Sequence, residues 1–255
     1  MIETHAHIYL PQFNEDLDEV IERAKESGIQ KIFMPNIDSS SVDDMLELEN
    51  RYPGYCFPMM GLHPCSVKED FEKELKIVEE WLSKRTFAAV GEMGTDLYWD
   101  KSFFEQQKEA FTIQCGWAVQ YDSPIVIHCR ESIDETIDLL EKLSPNHPRG
   151  VFHCFTGNLD QAKRILDLGF VLGIGGVATF KNGGMEPVLN EVALENLVLE
   201  TDSPYLAPVP NRGKRNEPSY VQFVAQKIAE VKDVPVSKVI EQTSRNAELL
   251  FSRHD

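Results

Sequence analysis

His5 and His7 stand two residues apart in the opening run IETHAHIY. Side chains at i and i+2 of a β-strand project to one face, about 6–7 Å apart along the chain, so this run aims two imidazoles at one point. Five of the seven histidines share such a setting. His5, His7, His63, His128 and His153 each fall near the end of an apolar, β-branched run, whereas His147 sits in a Pro-flanked loop and His254 in the tail. Glu92 closes the run TFAAVGEMG, and Asp202 closes NLVLETDSP. Polar groups converging in a protein interior must pair with one another or with a metal. Four imidazoles and two carboxylates are an inventory for two divalent cations, which in hydrolytic centres lie about 3.5–4 Å apart.

The expected division places His5, His7 and Asp202 on one cation, His128 and His153 on the other, and Glu92 as the bridge between them. By ligand softness, four imidazoles suit Zn²⁺ or Mn²⁺ better than Mg²⁺. The chain has no G-x-S-x-G and no cysteine beside an evident base. A metal-activated water is therefore the expected nucleophile, with Asp202 as its general base. Arg130 follows His128 by two residues and should lean to the same side. With Lys181, Arg212, Lys214 and Arg215 on the last two loops, it is placed to meet phosphate. Tyr9, Phe13, Tyr98, Trp99 and Phe180 fall on loops beyond the runs, to seal the rim or to stack bases.

Something must hold these residues together. Eight candidate strands, 2–8, 31–37, 56–64, 86–94, 124–131, 150–157, 170–177 and 196–204, alternate with amphipathic segments. Leu17, Val20, Ile21 and Ala24 keep a helical period that Gly28 ends. Ser132 and Glu135 form a capping-box pattern, Asn158 caps a segment closed by Gly169, and two helices follow from Pro218. Eight βα units without a linker predict an α/β protein, a (β/α)₈ TIM barrel in a single domain over 1–255. In that fold the ends of the strands form the active site.

At 255 residues and 42% hydrophobic, the chain can bury one large core. A net charge of −17 argues against a surface that coats nucleic acid, although not against a nucleic-acid substrate in a cation-bearing cleft. Five cysteines without C-x-x-C spacing, no signal segment and no long apolar run predict a cytoplasmic protein with reduced thiols and no membrane association. Cys129 and Cys154, each next to a histidine, should face the helical layer. No protein partner is expected.

The motifs THAH, GLHP, VGEMGTDLYW, IVIHCRES, FHCFTGN, LETDSPYLAP and RGKRNEPSYV occur in order, and together they resemble the TatD family of metal-dependent deoxyribonucleases. The resemblance implies a dinuclear hydrolase barrel that cleaves DNA with Mg²⁺ or Mn²⁺, with metal ligands at His5, His7, Glu92, His128, His153 and Asp202. It also implies that His63 and Arg130 lie near the substrate phosphate. Glu3 stands where the family usually has Asp, Thr95 where Leu is common, and Cys65 where His is frequent. The expected reaction is phosphodiester hydrolysis of single strands or ends, with His63 orienting a phosphate or protonating the leaving group. An amide or ester hydrolase, such as an aminoacyl-tRNA deacylase, is the alternative within the same site. A non-catalytic barrel would have lost a ligand, and none is missing.

Overall fold

The computed structural model describes residues 1–252; His254 lies outside them. Eight parallel strands form the centre: β1 (Ile2–Glu3), β2 (Lys31–Pro35), β3 (Cys56–Met59), β4 (Val90–Asp96), β5 (Ile125–Arg130), β6 (Gly150–Phe152), β7 (Val171–Ile174) and β8 (Leu197–Leu199). Each strand pairs with the next within β1–β3 and within β4–β8. Single bridges, Met60 with Val90 and Ala6 with Ser203, join the two groups at both seams. The second seam also carries hydrogen bonds from Thr4 N to Leu199 O (3.1 Å), Asp202 N to His5 O (2.9 Å) and His7 N to Ser203 O (2.8 Å). The sheet thus closes as the TIM barrel expected.

The strands are shorter than the apolar runs that announced them. His5 and His7 lie past β1, His63 past β3, His153 directly after β6 and Asp202 after β8, while Glu92 and His128 are inside strands. The first segment stays extended beyond β1, because Ala6 N still donates to Phe33 O at 3.0 Å. Its ladder is regular for only two residues.

Helices cover the outside: α1 (Leu17–Glu26), α2 (Val42–Arg51), α3 (Phe71–Lys84), α4 (Phe104–Gln120), α5 (Ile133–Leu143), α6 (Leu159–Asp167), α7 (Glu186–Glu191), α8 (Val221–Lys232) and α9 (Val236–Phe251). In α1, Val20, Ile21 and Ala24 face inward, and Gly28 ends the turn at φ +81°. Asn158 caps α6 as expected: its side chain accepts from Gln161 N at 2.9 Å, and the Gln161 side chain accepts from Asn158 N at 3.0 Å. Ser132 does not cap α5. Its hydroxyl donates to Thr95 O at 2.9 Å instead and accepts from Thr95 Oγ1 at 2.8 Å, a buried network made possible by threonine at position 95.

None of the helices among the described residues is long and apolar enough to cross a membrane.

Candidate metal centre

Glu92 sits at a register shift in β4. Gly91 pairs with Val126 and Met93 with Ile127, leaving Glu92 as an extra residue with no partner. Such a bulge re-aims a side chain, and here the carboxylate lands among all five site histidines. Its Oε2 lies 3.0 Å from His5 Nε2 and 3.3 Å from His7 Nε2. Its Oε1 lies 2.8 Å from His128 Nδ1, 2.8 Å from His153 Nε2 and 3.4 Å from His63 Nε2. The two oxygens therefore serve two separate histidine sets. Asp202 Oδ1 completes the first, 3.8 Å from both His5 Nε2 and His7 Nε2.

Three groups bring their ligand atoms within 4.8 Å of one another: His5, His7 and Glu92; His5, His153 and Asp202; His63, Glu92 and His128. His153 stacks on His5 with ring centroids 3.8 Å apart and also approaches His128 Nδ1 at 3.4 Å. It thus belongs to the second set and also borders the first.

The proton on an imidazole follows from its other partner, and this bears on His7, His128 and His63. The Tyr9 hydroxyl donates to Pro35 O, so it must accept from His7 Nδ1 at 2.9 Å, which leaves a lone pair on His7 Nε2. His153 Nδ1 makes no hydrogen bond, although Glu200 Oε1 lies 3.4 Å from it, and its Nε2 faces Glu92 Oε1 at 2.8 Å. His128 lies between two carboxylates, Nε2 at 2.8 Å from Asp96 Oδ2 and Nδ1 at 2.8 Å from Glu92 Oε1. Asp96 therefore favours the hydrogen on Nε2, and a cation beside Glu92 would take the Nδ1 lone pair. His63 is the reverse case. Its Nδ1 accepts the Cys65 amide at 3.0 Å, so Nε2 carries the hydrogen and is a donor, not a ligand.

These lone pairs meet with too few hydrogens between them. His5 Nε2 and His7 Nε2 lie 3.3 Å apart and compete for one carboxylate oxygen. A donor set of imidazole nitrogens and carboxylate oxygens converging this way fits divalent cations. Burial acts to raise the Glu92 carboxyl, but the charges of His153, His5 and His63 outweigh it and hold it well below the usual range. Asp202 goes the other way, and burial pushes it up to about 6 despite His153 and His7. The centre is sealed at His5 (0% exposed) and opens at the side chains of Asp202 (15%) and His128 (16%).

Four supporting residues escaped sequence reasoning. Asp96 and Glu200 lie beside imidazoles, Tyr9 fixes a tautomer rather than sealing the rim, and Glu3 Oε1 accepts the amides of both His5 (3.0 Å) and Thr201 (2.9 Å). The one sequence signal was position: Glu200 and Glu3 lie two residues from Asp202 and His5.

Other expectations need correction. Arg215 does not overhang the site; it pairs with Asp16 at 2.7 Å and donates to Gln12 O. Arg212 lies over the Phe180 ring at 3.5 Å. Cys154 lies beyond the end of β6 at φ +44°, where strand alternation no longer applies. Its thiol is pushed well up by burial and then by Asp202, Glu200 and Glu92. Cys129 does pack against the apolar core. Phe13 is fully buried, whereas Tyr98 and Trp99 are exposed.

Residues 2–252 match the family model described as "TatD related DNase". The chain is 36% identical to the uncharacterized metal-dependent hydrolase YabD of Bacillus subtilis, over 98% of each chain. It is 32% identical to the 3′-5′ ssDNA/RNA exonuclease TatD of Yersinia pseudotuberculosis, over 94% of this chain and 95% of that one. The crystal structure of YJJV, a TatD homologue from Escherichia coli, superimposes with a TM-score of 0.92 at 29% identity, covering 100% of this chain and 98% of that one. The chain belongs to the TatD-related DNase family of metal-dependent hydrolases.

Proposed function

We propose that this protein is a phosphodiesterase that shortens single-stranded DNA from its 3′ end, using two divalent cations. The observation that carries the reading is the division of Glu92 between two histidine sets, which suits a bridging carboxylate. The relatives named as 3′-5′ ssDNA/RNA exonucleases support the substrate and polarity. His5, His7 and Asp202 would hold one cation and His128 and His153 the other, with Glu92 shared. Bound there, the cations would supply an activated water and neutralise charge on the phosphoryl oxygens.

The chain's own groups divide the remaining work. Asp202, at the partly exposed edge of the first set, accepts the proton of the attacking water. His63 Nε2–H, fixed as a donor by the Cys65 amide on Nδ1, donates to the departing sugar oxygen as the P–O bond breaks. Arg130, at the end of β5, meets a phosphate.

The test is digestion of a 5′-labelled single-stranded oligonucleotide with Mg²⁺, Mn²⁺ or EDTA, alongside Asp202→Asn. A metal-dependent ladder of shortened 5′-labelled products, absent in the variant, is the expected result. An intact oligonucleotide with two cations bound per chain would redirect the reading to ester or amide hydrolysis.

A further inference from the structure

Tyr98 and Trp99 are 45% and 69% exposed, and their rings meet edge to face at 4.9 Å. Arg130 lies across them, its guanidinium carbon 3.6 Å from the Tyr98 centroid and 5.5 Å from that of Trp99. No hydrogen bond or ion pair occupies the Arg130 guanidinium among the described residues. A seal would be buried, as Phe13 is at 0%. This cluster is open to solvent instead.

Its position is tied to the metal centre by one carboxylate. Asp96 Oδ1 accepts the amides of Tyr98 (2.9 Å) and Trp99 (3.0 Å), while Oδ2 accepts from His128 Nε2 (2.8 Å). Leu97 N also donates to Arg130 O at 2.9 Å, fastening the loop to β5. An aromatic face stacks any base, and a guanidinium lying flat on a ring keeps its N–H edge for phosphate.

We propose that Tyr98, Trp99 and Arg130 form a platform that grips the single-stranded substrate beside the scissile phosphate, stacking a base on Trp99 and holding a flanking phosphate on Arg130. The proposal rests on the nuclease reading above. It assigns these residues to substrate affinity and not to bond cleavage.

Two measurements test it. With the metal-loaded enzyme and a (dT)₁₂ substrate, Trp99→Ala raises KM about tenfold, the lower end for loss of a base–aromatic stack, and changes kcat less than twofold. Trp99→Phe restores KM. Separately, a phosphorothioate (dT)₁₂ quenches tryptophan fluorescence, and Trp99→Phe abolishes the quench. Trp99 is the exposed member of the chain's three tryptophans; Trp81 and Trp117 are half-buried. Cleavage with an unchanged KM in Trp99→Ala and no quench would overturn the platform and leave the nuclease reading standing. A Trp99-dependent quench without cleavage of any oligonucleotide would do the opposite, and the absence of both would overturn both.

Discussion

The Tyr9 hydroxyl oxygen lies 2.9 Å from His7 Nδ1, and its hydrogen is directed at the Pro35 carbonyl 2.5 Å away. The hydroxyl has one hydrogen and it is committed, so His7 must donate from Nδ1. His7 Nε2 is thereby left as a lone pair aimed at Glu92 Oε2, 3.3 Å away. A residue that touches no substrate and no metal thus decides which nitrogen is free to ligate.

Tyr9→Phe removes that decision. Loss of such an outer partner typically weakens metal affinity about 10–100-fold. The Pro35 carbonyl is also left without its donor, at roughly 1–3 kcal/mol of stability. Titration calorimetry with Mn²⁺ should show one weakened site beside one of native affinity. Two unchanged sites would mean that the His7 tautomer is set elsewhere.

His63 and His153 both approach Glu92 Oε1, at 3.4 Å and 2.8 Å, yet only His63 has its hydrogen fixed on that side, by the Cys65 amide on Nδ1. His63→Gln should therefore keep both cations while lowering kcat by about 10²–10⁴, the usual share of a general acid. His153→Ala should lose cation. Metal content measured on the same samples as kcat separates the two roles, and a His63→Gln protein stripped of metal would make His63 a ligand instead.

Gly173 leaves the space that Glu200 fills. A Cβ there would come within 2.3 Å of Glu200 Oε2 and 3.0 Å of the His153 backbone. Gly173→Ala must push Glu200 away from His153 Nδ1 or open β7 from β6. Overpacking of this kind costs about 1–3 kcal/mol. A lowered melting temperature together with reduced metal content is expected, whereas Gly28→Ala, with open space around it, should strain only the helix end and leave metal content alone.

Asp16 gives a pH signature remote from the centre. Hydrogen bonds from Arg215 and then Arg23 outweigh partial burial and lower its carboxyl from 3.8 to about 2. A carboxylate held below its unfolded value stabilises the fold at all pH above the unfolded pKa, and that contribution fades as pH falls from about 4 towards 2. With 34% of the side chain exposed, screening limits it to about 1 kcal/mol. In denaturant melts, Asp16→Asn should be less stable than the native chain at pH 6, with the gap closing near pH 2. A gap that persists at pH 2 would show that packing, not charge, accounts for it.

How much of this was legible in the sequence follows from the physics of each part. The barrel was readable because eight apolar runs of strand length alternate with helical periods. The histidines were readable because they share the ends of those runs. The role of Glu92 as the hub needed the bulge in β4, which no periodicity announces. The proton on His7, His63 and His128 was unreadable, since Tyr9, the Cys65 amide and Asp96 are chosen by three-dimensional neighbours. Ser132 and Arg215 misled for the same reason: local patterns promised a cap and a phosphate site, and Thr95 and Asp16 outbid them from other segments.

Asp96 joins the two halves of the proposal, so changing its chemistry without its shape is the most discriminating substitution. Asp96→Asn keeps an Oδ1 acceptor for the Tyr98 and Trp99 amides, now 2.9 and 3.0 Å away. It replaces Oδ2, the acceptor 2.8 Å from His128 Nε2, with an NH₂ donor. His128 must then accept at Nε2 and carry its hydrogen on Nδ1, turned towards Glu92 Oε1, where a cation would need a lone pair. The loop and fold stay while the His128 side of the centre loses its ligand. Calorimetry should show one cation site weakened about 10–100-fold, with the melting temperature of the metal-free chain nearly unchanged and the oligonucleotide quench of Trp99 retained. Full retention of both cation sites would show that His128 ligates through a different nitrogen and would reverse its tautomer assignment.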